Sequence, residues 1–359
     1  MVTGQSRLGR LFGLVAKWLG AVVLIVVLAG VTYEQIGERR DRKRLPQIGR
    51  SVDIGGRSLN IFCSGEGTPA VILESGAGEP GYAWSHIQPE IAKFTEACWF
   101  DRAGEGWSDP GPFPRTSATM SAELHELLQR ADIPAPYVLV GHSLGGLNAR
   151  VYNGMYPNEV AGAVLVDAAH EDEPKRAPPF MLGHTAPRYL WHPIWIVAQT
   201  ARLLGVIRLW TPREQLPTDP TQRTPEQVVR ALRGQPKAIA ALFDASLPES
   251  YAQAAAAGGF GDRPLIVLTA GKVDTSAHPT EEDRQFVAYR QVWMHEIQPK
   301  LARLSTHGRQ IILGQSGHQI PRDAPDAVIA AAREVVADVR AQQARRAIPL
   351  HLSRSARRT

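Results

Sequence analysis

The middle of this chain lacks an excess of basic residues, although the 359-residue sequence has a formal net charge of +5 at pH 7. Residues 1–50 contain nine Lys and Arg against three acids, and residues 341–359 contain five Arg and no acid. Residues 51–340 therefore carry a balance of −6. A basic patch on a folded domain is the electrostatic signature of nucleic-acid binding. Its absence argues against a nucleic-acid partner, and the basic tails are interpreted as solvated.

Charge is also missing from the sixteen residues Trp18–Tyr33, and extension to Leu11 gives 23 residues interrupted only by Lys17. At about 1.5 Å per residue such a helix is roughly 34 Å long, enough to cross a bilayer. No evident A-x-A cleavage site separates this run from the charged stretch Glu38–Arg44. An uncleaved single-pass anchor is therefore favoured over a secretory signal peptide, which stays the alternative.

The charges on either side of this run leave its orientation open. Arg7, Arg10 and Lys17 precede it, and a larger set of cations follows it: Arg39, Arg40, Arg42, Lys43, Arg44 and Arg50. Because the more basic flank usually stays inside, this pattern would keep the rest of the chain in the cytoplasm.

Downstream of residue 50, short apolar runs alternate with helical patterns. Ser51–Ile54 and Ser58–Cys63 flank Gly55-Gly56, which predicts a β-hairpin. Six further strands are predicted at Ala70–Leu73, Ala97–Phe100, Tyr137–Val140, Val160–Val166, Leu265–Thr269 and Gln310–Leu313. Helices are predicted at Ser121–Ala131, Leu144–Met155, Glu281–Leu304 and Pro325–Val339. This alternation predicts an α/β fold with one eight-stranded, mostly parallel sheet and helices on both faces.

Strand patterns are absent between Val166 and Leu265, where the chain is rich in Pro and Trp and then helical. A structureless loop of that length is uncommon within a domain, so residues 168–262 are predicted to form an inserted helical cap. The predicted organisation is a membrane anchor with a basic juxtamembrane linker at 1–50, an α/β domain at 51–340 and a disordered basic tail at 341–359. We find no internal repeat.

The motif Gly141-His-Ser-Leu-Gly-Gly146 follows one predicted strand and opens a helix. This strand, turn and helix arrangement is a nucleophile elbow, in which a strained turn projects the serine hydroxyl clear of the sheet. Ser143 is therefore the predicted nucleophile. The backbone N–H of Leu144, at the start of the helix, is a predicted oxyanion donor.

A serine hydroxyl needs a base within hydrogen-bond reach, and His318 is the best-placed histidine. It lies in Gly314-Gln-Ser-Gly-His318, between the last predicted strand and the last helix. A loop at the carboxyl end of a parallel strand reaches the same sheet edge as Ser143. His142, beside the nucleophile, is expected to pack against the turn.

The acid that orients the histidine has two candidates on spacing alone. Asp274 follows the predicted strand Leu265–Thr269, and Asp167 follows the predicted strand Val160–Val166. The second oxyanion donor is expected in Glu74-Ser-Gly-Ala-Gly78, where the N–H of Ala77 lies between two glycines that allow close backbone approach.

With these motifs, residues 52–339 resemble the α/β-hydrolase fold superfamily, within it the bacterial serine hydrolases that carry an Asp-Arg-x-Gly-x-Gly-x-Ser loop. Here that loop is Asp101-Arg-Ala-Gly-Glu-Gly-Trp-Ser108. The resemblance favours Asp167 over Asp274 as the acid. One departure concerns the His-Gly pair that usually precedes the oxyanion loop, which is Ser75-Gly76 in this sequence.

The resemblance also bears on the two cysteines. In this superfamily the second strand lies antiparallel to the fourth, which would place Cys63 opposite Cys98 and within reach of a disulfide. A disulfide requires an oxidising compartment. We therefore expect the catalytic domain to face outward from the cytoplasmic membrane, against the orientation that the flanking charges indicate.

The expected activity is hydrolysis of an ester-like acyl bond through a Ser-His-Asp triad and an acyl-enzyme. The Trp- and Pro-rich cap indicates a small, largely apolar acyl substrate. Alternatives are an acyltransferase that uses the same residues and a non-catalytic binding module on the same fold. Neither a metal nor an organic cofactor is implied.

Overall fold

The computed structural model describes residues 7–182, 188–243, 246–273 and 279–347. Its eight strands form one sheet: β1 Arg50–Asp53, β2 Ser58–Ser64, β3 Ala70–Glu74, β4 Ala97–Phe100, β5 Tyr137–His142, β6 Val160–Val166, β7 Leu265–Ala270 and β8 Gly308–Leu313. The strand order is β1-β2-β4-β3-β5-β6-β7-β8. β1 and β2 pair antiparallel as a hairpin, and β2 also pairs antiparallel with β4. The strands β3 to β8 are parallel to one another. The predicted α/β fold class is confirmed.

The described α-helices are α1 Arg7–Arg44, α2 Gln88–Ile91, α3 Ser117–Arg130, α4 Leu144–Met155, α5 Glu173–Arg176, α6 Pro179–Leu182, α7 Arg188–Leu203, α8 Val206–Trp210, α9 Pro225–Arg233, α10 Pro236–Ala241, α11 Leu247–Ala256, α12 Glu281–Val292, α13 Gln298–Ala302, α14 Ile320–Asp323 and α15 Pro325–Ala347. Three 3₁₀ turns and one π-helical turn complete them: Gly81–Trp84, Pro157–Glu159, Pro220–Gln222 and Trp293–Ile297. In its described residues, the segment between β6 and β7 contains the helices α5 to α11 and one 3₁₀ turn, joined by loops.

Helices pack on both faces of the sheet, so apolar side chains are found on both faces. Along β3, Ile72 belongs to the core that α3 and α4 cover, whereas Val71 and Leu73 belong to the core that α15 covers. All three side chains are at most 1% exposed. A fully buried Val, Leu or Ile side chain contributes about 1.5–3 kcal/mol, so the two cores fix the positions of the strand ends.

The N-terminal helix α1 is longer than the predicted span. Its part from Gly9 to Arg44 is the one helix among the described residues that is long and apolar enough to cross a membrane, and its apolar stretch is not buried by the rest of the chain. The basic segment predicted as a linker continues the same helix to Arg44. This segment packs against the cap, where Arg208 Nη1 donates to Asp41 Oδ2 at 2.6 Å.

Two other boundaries differ from the sequence-based expectation. The tail predicted to be disordered from residue 341 is helical as far as Ala347, because Arg346 Nη2 bonds Asp262 Oδ2 at 2.9 Å and Gln342 Nε2 bonds the Asp262 carbonyl at 3.2 Å. The helix expected over 281–304 is interrupted by the π-helical turn Trp293–Ile297. Such turns occur often at functional sites, and this one faces the candidate active site.

Candidate active site

Ser143 is the single residue between β5 and α4, and its backbone has φ 52° and ψ −116°. A positive φ is unusual for a residue other than glycine and indicates local strain. The bonds around it hold this conformation: Ser143 N donates to the Val166 carbonyl at 3.1 Å, and its own carbonyl accepts from Ala169 N at 3.0 Å. The turn therefore matches the strained elbow that the sequence predicts.

Glycines allow this turn to form. A Cβ on Gly141 would lie 2.4 Å from the Gly145 carbonyl oxygen, and a Cβ on Gly145 would lie 2.4 Å from the Glu74 carbonyl oxygen. Contacts this short do not occur between real Cβ atoms and carbonyl groups, so any side chain would displace the turn. Gly145 also brings the turn into direct contact with the end of β3.

A continuous chain of hydrogen bonds runs from this serine into the protein. His318 Nε2 lies 3.1 Å from Ser143 Oγ, and His318 Nδ1 lies 2.7 Å from Asp167 Oδ2. The His318 side chain is 48% exposed, whereas Asp167 is fully buried. His142, predicted to pack against the turn, has its Nε2 2.9 Å from the His318 carbonyl oxygen and so bonds the loop that carries the histidine.

Asp167 is the acid candidate that the structure brings next to His318. It directly follows β6 and has φ 39°. Its Oδ1 accepts hydrogen bonds from Ala270 N at 3.0 Å and from Trp293 Nε1 at 2.8 Å. Asp274 lies outside the described residues. No local sequence pattern points to Trp293, because its orientation depends on the π-helical turn.

The interaction between Asp167 and His318 stabilises the ionised carboxylate and raises the basicity of the imidazole. Burial raises the pKa of Asp167, but the hydrogen bond and charge of His318, with Arg290 at 3.7 Å, outweigh it and leave that pKa below its ordinary value. Burial lowers the pKa of His318, and the hydrogen bond and charge of Asp167 more than offset this, so that pKa is raised above 6.5. A histidine of this kind can accept a proton from a neighbouring hydroxyl.

The predicted oxyanion donors lie on two adjoining segments. Leu144 is the first residue of α4, so its N–H has no acceptor within the helix. Ala77 is exposed in a tight turn that Glu79 N closes on the Gly76 carbonyl at 3.2 Å. A Cβ on Gly145 would also lie 2.8 Å from the Ser75 carbonyl oxygen, so the loop after β3 abuts the elbow.

Arg102 supports the loop after β3 through its guanidinium, a role that the sequence alone does not predict. Its guanidinium donates to the carbonyl oxygens of Ser75 at 2.6 Å and Gly76 at 2.5 Å. It also pairs with Glu105 at 2.9 Å and lies 3.6 Å from Glu74, and all these side chains are buried. The position of Arg102 in the Asp-Arg-x-Gly-x-Gly-x-Ser loop is the sequence signal for this role.

Glu74 is a buried carboxyl group beside the elbow, and its pKa is raised. Burial raises the pKa of Glu74 to about 7, although the charge of Arg102 and a 2.6 Å hydrogen bond from Asn148 Nδ2 partly oppose this. Two carboxylates and one guanidinium in a buried cluster leave one negative charge uncompensated, which favours a proton on one of the acids.

A pocket of about 260 Å³ opens beside the Ser143 hydroxyl. Apolar and aromatic side chains form much of its lining, namely Ala169, Met181, Phe286, Tyr289 and Trp293. Glu173 adds one carboxyl group, and Tyr251 Oη donates to it at 3.0 Å. The pocket therefore suits a small ligand with a mostly apolar body.

The two cysteines lie directly opposite each other in the register of β2 and β4. A disulfide joins Cys63 to Cys98 across that ladder. Within the described part of the chain, the one cluster of three His, Cys, Asp or Glu side chains close enough to hold a metal ion is Cys63, Glu96 and Cys98. Both of its sulfurs are in the disulfide, so the cluster does not offer thiolate ligands.

The family model for the alpha/beta hydrolase fold matches residues 69–241. The chain belongs to the α/β-hydrolase fold superfamily. One relative, the Bacillus subtilis uncharacterized protein YbdG, is 26% identical over 165 residues, 45% of this chain and 51% of that protein. This chain therefore matches only about half of that relative's length.

Solved structures resemble nearly the whole folded region. A thermophilic esterase from Thermogutta terrifontis has a TM-score of 0.51 and 20% identity over 82% of this chain and 99% of its own. The epoxide hydrolase CorEH has a TM-score of 0.56 and 18% identity over 81% of this chain and 99% of its own. At these identities the likeness establishes the fold alone.

Proposed function

We propose that the protein is a serine hydrolase that cleaves an ester-like acyl bond through Ser143, His318 and Asp167. The observation that carries the proposal is the hydrogen-bond chain from Asp167 Oδ2 to His318 Nδ1, at 2.7 Å, and from His318 Nε2 to Ser143 Oγ, at 3.1 Å. It ends at a hydroxyl on a strained turn beside a pocket. A nucleophile, a base and an orienting acid in this geometry are the requirements for acyl transfer through a covalent intermediate.

In the first half of the reaction, His318 takes the Ser143 proton while Oγ attacks the carbonyl carbon of the substrate. The N–H groups of Leu144 and Ala77 stabilise the negative charge on the tetrahedral oxygen. Collapse of this intermediate breaks the bond to the leaving alcohol, and His318 gives that alcohol the proton. In the second half, His318 deprotonates a water that attacks the acyl-serine ester, and the acid product leaves with Ser143 protonated again.

The substrate class follows from the pocket. Its aromatic and aliphatic lining favours an apolar acyl group, and its volume of about 260 Å³ restricts the bound part to a small molecule. The esterase among the structural relatives is compatible with this chemistry, and the epoxide hydrolase shows that the fold also occurs with a different substrate.

We further propose that α1 anchors the protein in the cytoplasmic membrane as a single span, with the hydrolase domain outside. The uncharged run Trp18–Tyr33 supports the span, and the Cys63–Cys98 disulfide supports an oxidising compartment. Mass analysis of the protein purified without reductant, after alkylation of free thiols, tests the location. Two unmodified cysteines support it, whereas two alkylated thiols would contradict it.

Fluorophosphonate labelling followed by a panel of short-chain esters tests the activity. The unmodified enzyme should label at Ser143 and release acid from esters, and Ser143→Ala should do neither. Ser51→Ala, at an exposed position of β1, is the control and should behave like the unmodified enzyme. Absence of labelling and turnover in the unmodified protein would favour a binding module. Transfer of the acyl group to added alcohol in place of water would favour an acyltransferase.

A further inference from the structure

An exposed apolar face lies on the cap. It is formed by six side chains of α7 and α8 within fifteen residues, and we call it the cap apolar face: Ile196, Val197, Leu203, Val206, Leu209 and Trp210. Trp210 is 84% exposed, Leu209 68% and Val197 67%. Single exposed apolar side chains are ordinary, but a cluster of this kind indicates contact with another apolar phase.

On α8, the residues of this face lie on the side that points away from the rest of the protein. Val206, Leu209 and Trp210 have the i, i+3, i+4 spacing of one side of a helix. Arg208, between them, is buried and lies on the other side. The polar side of α8 is therefore turned towards the protein, and its apolar side is free.

The polar side of α8 is bound to α1. Arg208 Nε and Nη2 donate to the two carboxylate oxygens of Glu34, both at 2.8 Å, and Arg208 Nη1 donates to Asp41 Oδ2 at 2.6 Å. A bidentate pair of this kind fixes orientation as well as distance. The cap apolar face therefore has a defined direction relative to the N-terminal helix.

The turn between α7 and α8 lies beside the last turn of the uncharged run of α1. A Cβ on Gly30 would lie 2.6 Å from the Leu204 carbonyl oxygen, and a Cβ on Gly205 would lie 2.7 Å from the Tyr33 ring. Gly30 and Tyr33 both belong to Trp18–Tyr33. Where α1 crosses a bilayer, this turn is at the boundary of the hydrocarbon core, which is about 30 Å thick.

The residues around this level match the chemistry of a membrane surface. Tryptophan concentrates at the boundary between lipid headgroups and acyl chains. Beyond the uncharged run, and after Glu34 and Glu38, α1 carries a basic segment that can contact anionic headgroups: Arg39, Arg40, Arg42, Lys43 and Arg44. Apolar side chains of the cap at the acyl boundary, with basic residues of α1 beyond it, provide the two kinds of contact that a membrane surface offers.

We propose that the cap apolar face lies in the lipid interface beside α1, so that the cap is a second membrane contact of this protein. The inference rests on the proposed membrane span of α1. Lipid is the favoured occupant because the turn between α7 and α8 contacts Gly30 and Tyr33 at the end of the uncharged run. Arg208 fixes α8 against the residues of α1 that follow that run. The bilayer thereby contacts the element that covers the active site.

Fluorescence quenching in vesicles tests this contact with the full-length protein. Leu209→Cys is labelled with a nitrobenzoxadiazole dye and reconstituted into phosphatidylcholine–phosphatidylglycerol vesicles that contain nitroxide-labelled lipid. Met155→Cys is the matched control, because Met155 is an exposed apolar residue at the end of α4 opposite Ser143. The native cysteines form the disulfide and do not react with the dye.

The label at position 209 should lose most of its fluorescence to the nitroxide lipid and little to aqueous iodide, and the label at position 155 should show the reverse. Iodide quenching at 209 equal to that at 155 would overturn the proposal. Protection from both quenchers would also overturn it, because the face would then be covered by protein, such as a second copy of this chain.

A third label separates this inference from the proposals on which it rests. Leu24→Cys places the dye in the middle of the uncharged run, where it should be quenched by the nitroxide lipid. Quenching at 24 without quenching at 209 contradicts the interfacial cap alone, whereas no lipid quenching at either position contradicts the membrane span. None of these readouts depends on hydrolase activity, so a failure of the proposed chemistry is detected separately.

Discussion

Two buried arginines show how similar interactions serve different purposes in two regions of this protein. Arg102, beneath the active-site edge of the sheet, pairs with Glu105 and faces Glu74 while donating to two backbone carbonyls. Arg208, in the cap, pairs with Glu34 and Asp41 of α1. Each guanidinium is buried and faces two carboxylates, so the two clusters have the same local composition.

The difference lies in what each cluster can do when it is broken. The groups around Arg102 are enclosed between β3, β4 and α4, so a carboxylate left without its partner there cannot reach water. The groups around Arg208 lie between two surface elements, α1 and α8, which can separate and hydrate their charges. An ion pair buried within one core is therefore needed for the stability of the whole domain. An ion pair buried between two surface elements mainly fixes how those elements lie against each other.

The largest effect is expected at the catalytic edge itself. Asp167→Asn leaves the shape of the site intact but removes the charge that orients and stabilises the protonated His318, and we expect kcat/KM for an ester to fall about 10⁴-fold. Asp172→Asn is the control, since Asp172 pairs with Lys175 and Lys300 instead of His318. Full activity of Asp167→Asn combined with inactivity of Asp274→Asn would assign the acid to Asp274.

Arg102→Met should destabilise the whole domain. It leaves Glu74 and Glu105 without their cationic partner, and removal of one partner from a buried pair costs about 3–5 kcal/mol of unfolding free energy. Urea denaturation of the detergent-solubilised protein measures this. Addition of Glu74→Gln and Glu105→Gln should recover much of the loss. A loss below about 1 kcal/mol in the single variant would place this cluster in the same class as Arg208.

Arg208→Met should act locally. We expect the unfolding free energy of the hydrolase domain to change by less than about 1 kcal/mol, because the cap can move away from α1 and hydrate Glu34 and Asp41. Limited proteolysis in vesicles should instead cut faster between α8 and α9. Arg213→Met, at an exposed position, is the matched control. Global destabilisation equal to that of Arg102→Met would abolish the distinction between the two regions.

A further effect is expected on the pH dependence of stability. The pKa of Glu74 is raised from 4.5 to about 7 in the folded protein, so the folded state retains a proton that the unfolded state has lost. The unfolding free energy should therefore fall as pH rises from 4.5 to about 7, by about 3 kcal/mol from this group at about 1.36 kcal/mol per pKa unit. Glu74→Gln should flatten that interval in denaturation series. An unchanged slope would show that Glu105 holds the proton instead.

The pH dependence of catalysis has the opposite sign. The pKa of His318 is raised above 6.5, and only the neutral imidazole can accept the Ser143 proton. The rate should increase with pH, with an inflection above 6.5, in kcat/KM profiles for a substrate that does not itself ionise. An inflection below 6.5 would contradict the effect of Asp167 on this histidine.

Much of the catalytic edge follows from local sequence. The glycines around Ser143 predict the elbow because only they permit the short contacts of that turn. His318 could be chosen among eleven histidines because a loop after a parallel strand reaches the same edge. The roles of two residues do not follow from local sequence. The role of Trp293 depends on a π-helical turn, and that of Arg102, although it lies in a recognised motif, depends on a fold that brings it to a loop 26 residues away.

The sequence by itself determined the strand pattern, the elbow and the uncharged N-terminal run, because each depends on residues close together in the chain. Only the tertiary structure placed Asp167 next to His318, which spacing could not decide because the two residues are 151 positions apart. It alone also showed that the basic segment after the span is helical and bound to the cap. Those features depend on contacts between distant elements, which are determined by packing of the whole chain and leave no local pattern.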